Sequence, residues 1–348
     1  MIEPRMPLRK PRLPPSLYAC ASLALSACGS SNAPPQTLEV ASSQSAKEYA
    51  DATSAVEVLL GKDRVAEAEV VARSLAEHYP RDAAAAELFA RVLGIRALRD
   101  NARAGNPILT EAAHAAARAS ALSPTDLIRA HAAALLLDRA GRRAEALDRW
   151  KCVAVLALDQ HDMRFSVAAA IALASQKETE TSLRLLRHLE ECGASREVLA
   201  STGAQVFLAS GTPALALDGA REAFLINAEN LEYRLLYARV LRLQARSHDA
   251  ALLLVGLPDA TLATPVVAEE LALALHEEER FSLAAQAWQR TRVHGVNARY
   301  LAEEALARIR ANELSIAARV LEELRVAPDA ASDLLRVEQA LRAAAATP

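Results

Sequence analysis

The sequence predicts an all-α fold built from consecutive pairs of helices. Of the 348 residues, 52% are hydrophobic but only 4% are aromatic, and alanine is abundant, a composition typical of closely packed helices rather than sheets. One short pattern also recurs along the chain: a turn, two or three polar residues, and then a small residue within an apolar helix. The length would suffice for two compact domains or for one long repeat array, and the recurrence favours the array.

The first 27 residues have the pattern of a bacterial signal peptide. Four basic residues between positions 5 and 12 precede an apolar run over residues 17–27, which is too short to span a bilayer because a spanning helix needs about 20 residues. At the end of the run, the sequence Leu-Ser-Ala-Cys at residues 25–28 resembles the lipobox of bacterial lipoproteins. Cleavage of an ordinary secretory signal near this position is the alternative interpretation.

The lipobox resemblance implies that Cys28 becomes the first residue of the mature chain and carries acyl chains that anchor it in a membrane. Gly29 and Ser30 stand where an aspartate would signal retention in the inner membrane of many Gram-negative bacteria, which favours the outer membrane, facing the periplasm. Residues 28–43 are rich in Ser and Pro and lack a helical apolar period, so we expect them to form a flexible tether.

The repeat is measured most easily from the small residue in the second helix of each pair. Successive intervals between these marker residues are 44, 34, 36, 34, 34, 34 and 33 positions. The markers are Ala68, Ala112, Ala146, Ser182, Ala216, Ala250, Ala284 and Ala317. This spacing resembles the tetratricopeptide repeat, a helix pair of 34 residues, over about residues 46–330. The resemblance implies a right-handed superhelical solenoid of about eight pairs over residues 44–330, with a capping helix and tail at residues 331–348. A compact bundle is the alternative, but the regular period favours the solenoid.

A second series supports the same period, because the family also places a small residue twelve positions before each marker. These positions hold Val56, Asp100, Ala134, Ala170, Ala204, Ala238, Ala272 and Ala305, so only the second pair departs. Its ten additional residues around Asp100–Leu109 predict a protruding loop or an extended first helix. Leaving the second pair aside, the residue three positions further on is large and apolar in every pair except at Arg308, and the family's turn glycine remains only as Gly141 and Gly211.

The sequence contains no motif for catalysis, phosphate binding or metal binding, so we expect neither enzymatic activity nor a cofactor or metal. His276 begins a His-Glu-Glu-Glu run that lacks the second histidine of a zinc motif, and His161 lies at a junction between pairs that we interpret as a solvated loop. The formal net charge of −3 disfavours nucleic-acid binding, which needs a basic face. Trp150 and Trp288 share a repeat position that predicts core packing rather than ligand stacking.

Two cysteines, Cys152 and Cys192, remain after signal cleavage. They occupy different repeat positions, and a disulfide needs Cα atoms within about 7 Å, so we expect two buried free thiols rather than a bond.

In tetratricopeptide proteins the first helices of the pairs line a concave groove that binds peptide segments. Carried over to this sequence, the resemblance implies a partner-binding surface at Gln205, Arg239, Arg242, Glu269 and His276. Arg239 and Arg242 are one helical turn apart and are the best anchors for acidic groups of a partner. The Lys/Asn set with which some members hold a C-terminal carboxylate is absent. An ordinary solvated helix face is the alternative.

Together these features predict a non-enzymatic, lipid-anchored adaptor of the bacterial cell envelope that binds a protein or peptide partner. Tetratricopeptide lipoproteins that assist pilus, secretion or polysaccharide-export assembly are the nearest analogy. Two alternatives remain open: an envelope enzyme whose active site combines residues distant in sequence, and a passive structural lipoprotein. The sequence makes no prediction of the oligomeric state.

Overall fold

The computed structural model describes residues 43–346, apart from residues 101, 296, 328 and 329. Over this part of the chain there are eighteen α-helices and one 3₁₀ helix, and no strand. The predicted signal peptide, Cys28 and the tether up to residue 42 lie outside the described residues. Where the structure describes the chain, no helix is both long and apolar enough to cross a membrane.

The chain divides into two compact units between Ala194 and Ser195. The described part of unit 1 contains four helix pairs, in each of which the two helices pack against each other. In chain order they are α1 (Ser43–Gly61) with α2 (Val65–His78), α3 (Ala83–Arg99) with α4 (Pro107–Leu122), α5 (Leu127–Ala140) with α6 (Arg143–Gln160), and α7 (Met163–Ser175) with α8 (Thr179–Glu191).

Unit 2 contains four further pairs and a final helix. The pairs are α9 (Arg196–Ala209) with α10 (Pro213–Ile226), α11 (Leu231–Leu243) with α12 (Ser247–Val255), α14 (Pro265–Glu277) with α15 (Phe281–Arg290), and α16 (Ala298–Arg310) with α17 (Leu314–Arg325). The short α13 (Asp259–Leu262) precedes α14, and the 3₁₀ helix (Thr291–His294) follows α15. The last helix, α18 (Ala331–Ala345), packs on α16 and α17 and buries Val337 completely.

The eight pairs and the terminal helix confirm the prediction of an all-α solenoid. All eight marker residues are fully buried. Small residues at these positions let the two helices of a pair approach closely, and large apolar residues fill the remaining space. The same physical requirement therefore recurs in every pair and produces the period seen in the sequence.

The turns within the pairs share one backbone geometry. In seven of them the residue immediately before the second helix donates its N–H to the carbonyl five positions earlier. Examples are Arg142 to Leu137 (2.9 Å) and Arg246 to Leu241 (2.9 Å). This is the long hydrogen bond of a Schellman C-cap, which requires a left-handed residue. The left-handed residues are Asp63, Gly141, Lys177, Gly211, Ala245, Glu279 and Asn312.

The second pair has the extended first helix that was one of its two predicted forms, but its small position differs from the prediction. The small position in its first helix is filled by Ala90, which is 3% exposed and lies 34 positions after Val56, rather than by Asp100. The ten additional residues extend α3 to 17 residues and form the loop before α4. This loop contacts the end of α5, where the N–H of Gly105 donates to the carbonyl of Ala140 at 3.3 Å.

Candidate protein-interaction surface

The five residues predicted to bind a partner all lie on the first helices of pairs in unit 2. Gln205 belongs to α9, Arg239 and Arg242 to α11, and Glu269 and His276 to α14. Helix α11 packs beside both α9 and α14, so consecutive first helices are neighbours. We call the surface that carries these five residues the A-helix surface.

Buried Glu270 organises the centre of this surface. Its side chain is only 2% exposed, and it accepts hydrogen bonds from Nε of Arg239 (3.1 Å) and from Nε of Arg242 (2.6 Å). Nη1 of Arg242 also donates to Glu277 at 2.9 Å, and the hydroxyl of Ser247 donates to the other oxygen of Glu277 at 2.5 Å. The two arginines are therefore held by carboxylates of the next helix pair.

The two arginines predicted to anchor a partner differ in how fully they are paired within the protein. The side chain of Arg242 is 13% exposed and is engaged by both Glu270 and Glu277, so the alternative of an ordinary solvated helix face is wrong for Arg242. Arg239 is 19% exposed, and among the described residues only its Nε has an acceptor. No described residue accepts a hydrogen bond from its two terminal amino groups. Partner binding by either arginine stays a prediction.

The other members of the A-helix surface are also linked along the array. Glu269 forms an ion pair with Arg299 of α16. Nη1 of Arg310 donates to Nε2 of His276 at 2.6 Å. Burial, assisted by the charge of Arg310, lowers the pKa of His276, so its ring is a neutral acceptor at pH 7. Gln205 is half-buried.

Residue numbering reveals a regularity in these contacts. Their partners are separated by 28 to 35 positions, which is close to one repeat. Unit 1 shows the same spacing, since Arg91 pairs with Glu57 across 34 positions and Arg99 with Asp63 across 36. Sequence reasoning missed Glu270 and Glu277, but a search for opposite charges about one repeat apart would have found them.

Both tryptophans are core residues, as predicted. Trp150 is 2% exposed and its Nε1 donates to Asp138 at 2.6 Å, while Trp288 is 3% exposed and stacks on Tyr300 with ring centroids 5.6 Å apart. Their burial removes the surface that ligand stacking would need.

Two buried carboxyl groups whose pKa values are raised have hydrogen-bond partners within the helical core. Burial raises the pKa of Asp138, which nevertheless accepts the hydrogen bond from Trp150. Burial also raises the pKa of Glu304, which accepts from Arg292 at 2.7 and 3.0 Å. Each group therefore has a role in helix packing that accounts for its environment.

The remaining cysteines are unpaired, as predicted, but they are not both buried. Cys152 is exposed on α6, and Cys192 is partly buried at the end of α8. Exposure of Cys152 follows from its position on α6, two residues after buried Trp150 and thus on another face of the helix.

Comparison with solved structures places this architecture among known folds. The chain is similar to a tetratricopeptide repeat protein from Parabacteroides merdae ATCC 43184, with a TM-score of 0.54, 11% identity, and coverage of 85% of this chain and 99% of that one. The chain has a tetratricopeptide-like fold. At this identity, the similarity establishes the fold alone.

Two further solved structures are similar at lower TM-scores. A structure of Naa15/Naa10 bound to HypK-THB has a TM-score of 0.35 and 15% identity, covering 79% of this chain and 42% of that one. The tetratricopeptide domain of P58(IPK) has a TM-score of 0.24 and 14% identity, covering 86% of this chain and 100% of that one. No family model matches the sequence, and the search of curated proteins gave no match.

Proposed function

We propose that this protein is a non-enzymatic, lipid-anchored adaptor of the bacterial outer membrane that holds a protein partner on the A-helix surface. The observation that carries the proposal is the state of Arg239: Nε of its guanidinium donates to buried Glu270, and among the described residues its terminal amino groups have no acceptor. The partner we expect presents an acidic segment, in the assembly of a pilus, a secretion pore or a polysaccharide-export system.

Arg239 is well suited to this task for two physical reasons. A guanidinium offers a planar fork of donors that matches a carboxylate, and the ion pair with Glu270 restricts the rotamers of the side chain before any partner arrives. The ordering entropy that a free arginine would lose on binding is therefore reduced.

The neighbouring residues extend the surface over consecutive helix pairs. Glu269 and His276 lie on the next first helix and Gln205 on the preceding one, so an extended segment would meet charged, neutral and amide groups in turn. This mixture of groups, with a single strong cationic anchor, suits an acidic peptide better than a nucleic acid, for which the chain has too little positive charge.

The proposed anchor is Cys28, modified with lipid. Helix α1 begins at Ser43, fifteen residues further on, and fifteen extended residues reach at most about 50 Å. A tether of this length would allow the folded repeats to meet a partner well away from the membrane surface.

Replacing Cys28 with Ser tests the anchor. In a Gram-negative host, we expect Cys28→Ser to abolish labelling by a fatty-acid analogue and to move the mature protein from the membrane fraction to the soluble periplasmic fraction. Cys152→Ser serves as the control because it removes a thiol without touching the lipobox. Unchanged labelling of Cys28→Ser would disprove the lipid anchor.

Co-purification from detergent-solubilised envelopes tests the surface. We expect Arg239→Ala to reduce partner recovery, and to reduce it most at low salt, where charge attraction is least screened. Arg246→Ala is the matched control, because Arg246 is also in unit 2 but is 50% exposed, and the acidic residue it pairs with in the described part of the chain is Asp249.

The two comparisons distinguish the proposal from its alternatives. Equal recovery with Arg239→Ala and with the parent protein at low and high salt would exclude the A-helix surface. If the parent protein recovered no partner at all, the passive structural lipoprotein would be the better assignment.

A further inference from the structure

Two histidines and a cysteine come together at the junction between the last two helix pairs of unit 1. His161 follows α6, and His188 and Cys192 lie one turn apart at the end of α8. One nitrogen from each ring and the Cys192 sulfur all lie within 4.8 Å of one another. The sequence alone did not predict this cluster, because 27 positions separate His161 from His188.

The distances are close to those of a metal site. Sγ of Cys192 lies 3.4 Å from Nε2 of His188 and 3.9 Å from Nδ1 of His161. In a tetrahedral zinc site with Zn–S of about 2.3 Å and Zn–N of about 2.0 Å, sulfur and nitrogen ligands are about 3.5 Å apart. The ligand atoms all lie within 4.8 Å of one another, whereas two nitrogen ligands of such a site are about 3.3 Å apart, so an ion could bind after the imidazole rings approach each other by up to about 1.5 Å.

The backbone around the cluster favours a cation. His161 is the C-cap of α6 and Cys192 is the C-cap of α8, so the partially negative ends of two helices meet at this position. The left-handed backbone of His161, with φ of 54°, turns the chain sharply and lets its ring stack against that of His188, with centroids 5.4 Å apart. Within the described residues, no carboxylate accepts a hydrogen bond from either ring and no arginine donates one to it.

We propose that His161, His188 and Cys192 bind a transition-metal cation that prefers nitrogen and thiolate ligands, of which Zn²⁺ is the ion to test. Two imidazoles and a thiolate are a suitable donor set for such an ion, whereas Mg²⁺ and Ca²⁺ prefer oxygen. Cys192 would coordinate as the thiolate and release its proton to solvent, and the fourth position would be occupied by water.

Such an ion would connect two consecutive helix pairs. His161 belongs to the connection that follows the α5–α6 pair, whereas His188 and Cys192 belong to the α7–α8 pair. Because neighbouring repeats stabilise each other through their interface, an ion at this position would strengthen the contact between these pairs. This inference does not depend on the A-helix surface, which lies in unit 2.

Titration of the purified, reduced full-length protein with Zn²⁺ tests the site. We expect one equivalent to bind, and we expect Co²⁺ in its place to give a thiolate-to-metal charge-transfer band. Loss of an outer hydrogen-bond partner typically weakens metal binding by about 10- to 100-fold, so loss of a direct ligand in Cys192→Ser should weaken it by at least about 100-fold and remove the band.

A second ligand variant and two controls make the result specific. His161→Asn removes the exposed imidazole while retaining a residue that tolerates the left-handed backbone, and it should also weaken binding by at least about 100-fold. Cys152→Ser and His248→Ala remove an exposed thiol and an exposed imidazole elsewhere and should bind Zn²⁺ as the parent does. Circular dichroism establishes that each variant is folded. Absence of saturable binding by the parent, or equal affinity in Cys192→Ser, would overturn the proposal.

Discussion

At the scale of single residues, His131 shows how this all-helical core determines a charge state. The ring of His131 contacts those of Trp150 and Phe165 edge to face, with centroid distances of 5.4 and 4.9 Å. Burial lowers the pKa of His131 from its ordinary value of 6.5 to about 4, because the apolar surroundings disfavour the imidazolium. The folded protein therefore keeps this ring neutral through the weakly acidic range, whereas the unfolded chain protonates it.

Stability should accordingly depend on pH through His131. Between pH 6.5 and pH 4 the unfolded state binds more protons than the folded state, so the free energy of unfolding falls as the pH is lowered, by about 3 kcal/mol for this group. His131→Phe retains an aromatic ring but cannot bind a proton. We therefore expect the free energy of unfolding of this variant to fall less than that of the parent protein when the pH is lowered. Urea unfolding at pH 7.5 and pH 4.5 measures the difference. His248→Phe is the control at an exposed histidine, and an equal pH dependence in parent and His131→Phe would contradict the prediction.

Arg308 shows why the sequence could predict a residue's burial without its chemistry. The repeat places it where the other described pairs carry a large apolar residue, and its side chain is indeed 8% exposed. Its charge is balanced by Glu313 at 2.5 Å and its Nη2 donates to Gln289 at 3.2 Å. The period identified the position as a departure, but the compensating groups come from the turn and from another helix, which a linear pattern does not reveal.

At the scale of helices, α9 and α10 approach each other closely at Gly219. A Cβ atom added at Gly219 would lie 2.8 Å from the carbonyl oxygen of Ala200, a distance that only a backbone shift could relieve. A Cβ added at Gly203, in the same helix pair, would have no atom within 4 Å. The structure therefore requires a residue without a Cβ at Gly219 but has space for a side chain at Gly203.

Alanine substitution should reveal this difference. We expect Gly219→Ala to lower the free energy of unfolding by about 1–3 kcal/mol, the usual cost of overpacking a close contact. Gly203→Ala should raise it by up to about 1 kcal/mol, because alanine is the better helix former and the site has space. Equilibrium unfolding in urea measures both. Equal effects of the two substitutions would show that α9 and α10 can separate at little cost.

The helices could be predicted from the sequence in most pairs because one contact requirement recurs every 34 residues or so. The exception is the second pair, where ten residues lie between Ala90 and Ala112 in addition to the usual twelve, so counting back from Ala112 selected Asp100. The turns were also harder to identify, since Ala245 and Glu279 adopt the left-handed backbone that glycine usually takes. The Schellman hydrogen bond and the fixed helix ends impose that backbone, whatever the residue.

At the scale of the whole molecule, ion pairs one repeat apart connect consecutive helix pairs within each unit. The sequence identified Arg239 and Arg242 as neighbours on one helix face, because that follows from helical spacing alone. It did not identify Glu270, which lies on the adjacent first helix and is buried beneath both arginines. The sequence therefore predicted which residues lie on the A-helix surface but not which carboxylates pair with them, because that depends on how neighbouring repeats stack.

Loss of Arg242 should weaken the coupling between the α11–α12 and α14–α15 pairs. Removing one partner of a buried ion pair costs about 3–5 kcal/mol, and since Glu270 retains Arg239 we expect Arg242→Met to cost about 3 kcal/mol. Arg242→Met combined with Glu270→Met should recover part of this loss, because no uncompensated carboxylate then remains buried.

Because stability in repeat proteins depends on contacts between neighbours, the effect should also be local. Hydrogen exchange should accelerate in α14 and α15 of Arg242→Met before it does so in α9 and α10, whereas Arg246→Ala, at an exposed ion pair, should leave exchange unchanged. If Arg242→Met were no less stable than Arg246→Ala, the ion pair between Arg242 and Glu270 would not couple these two helix pairs, and the prediction would be wrong.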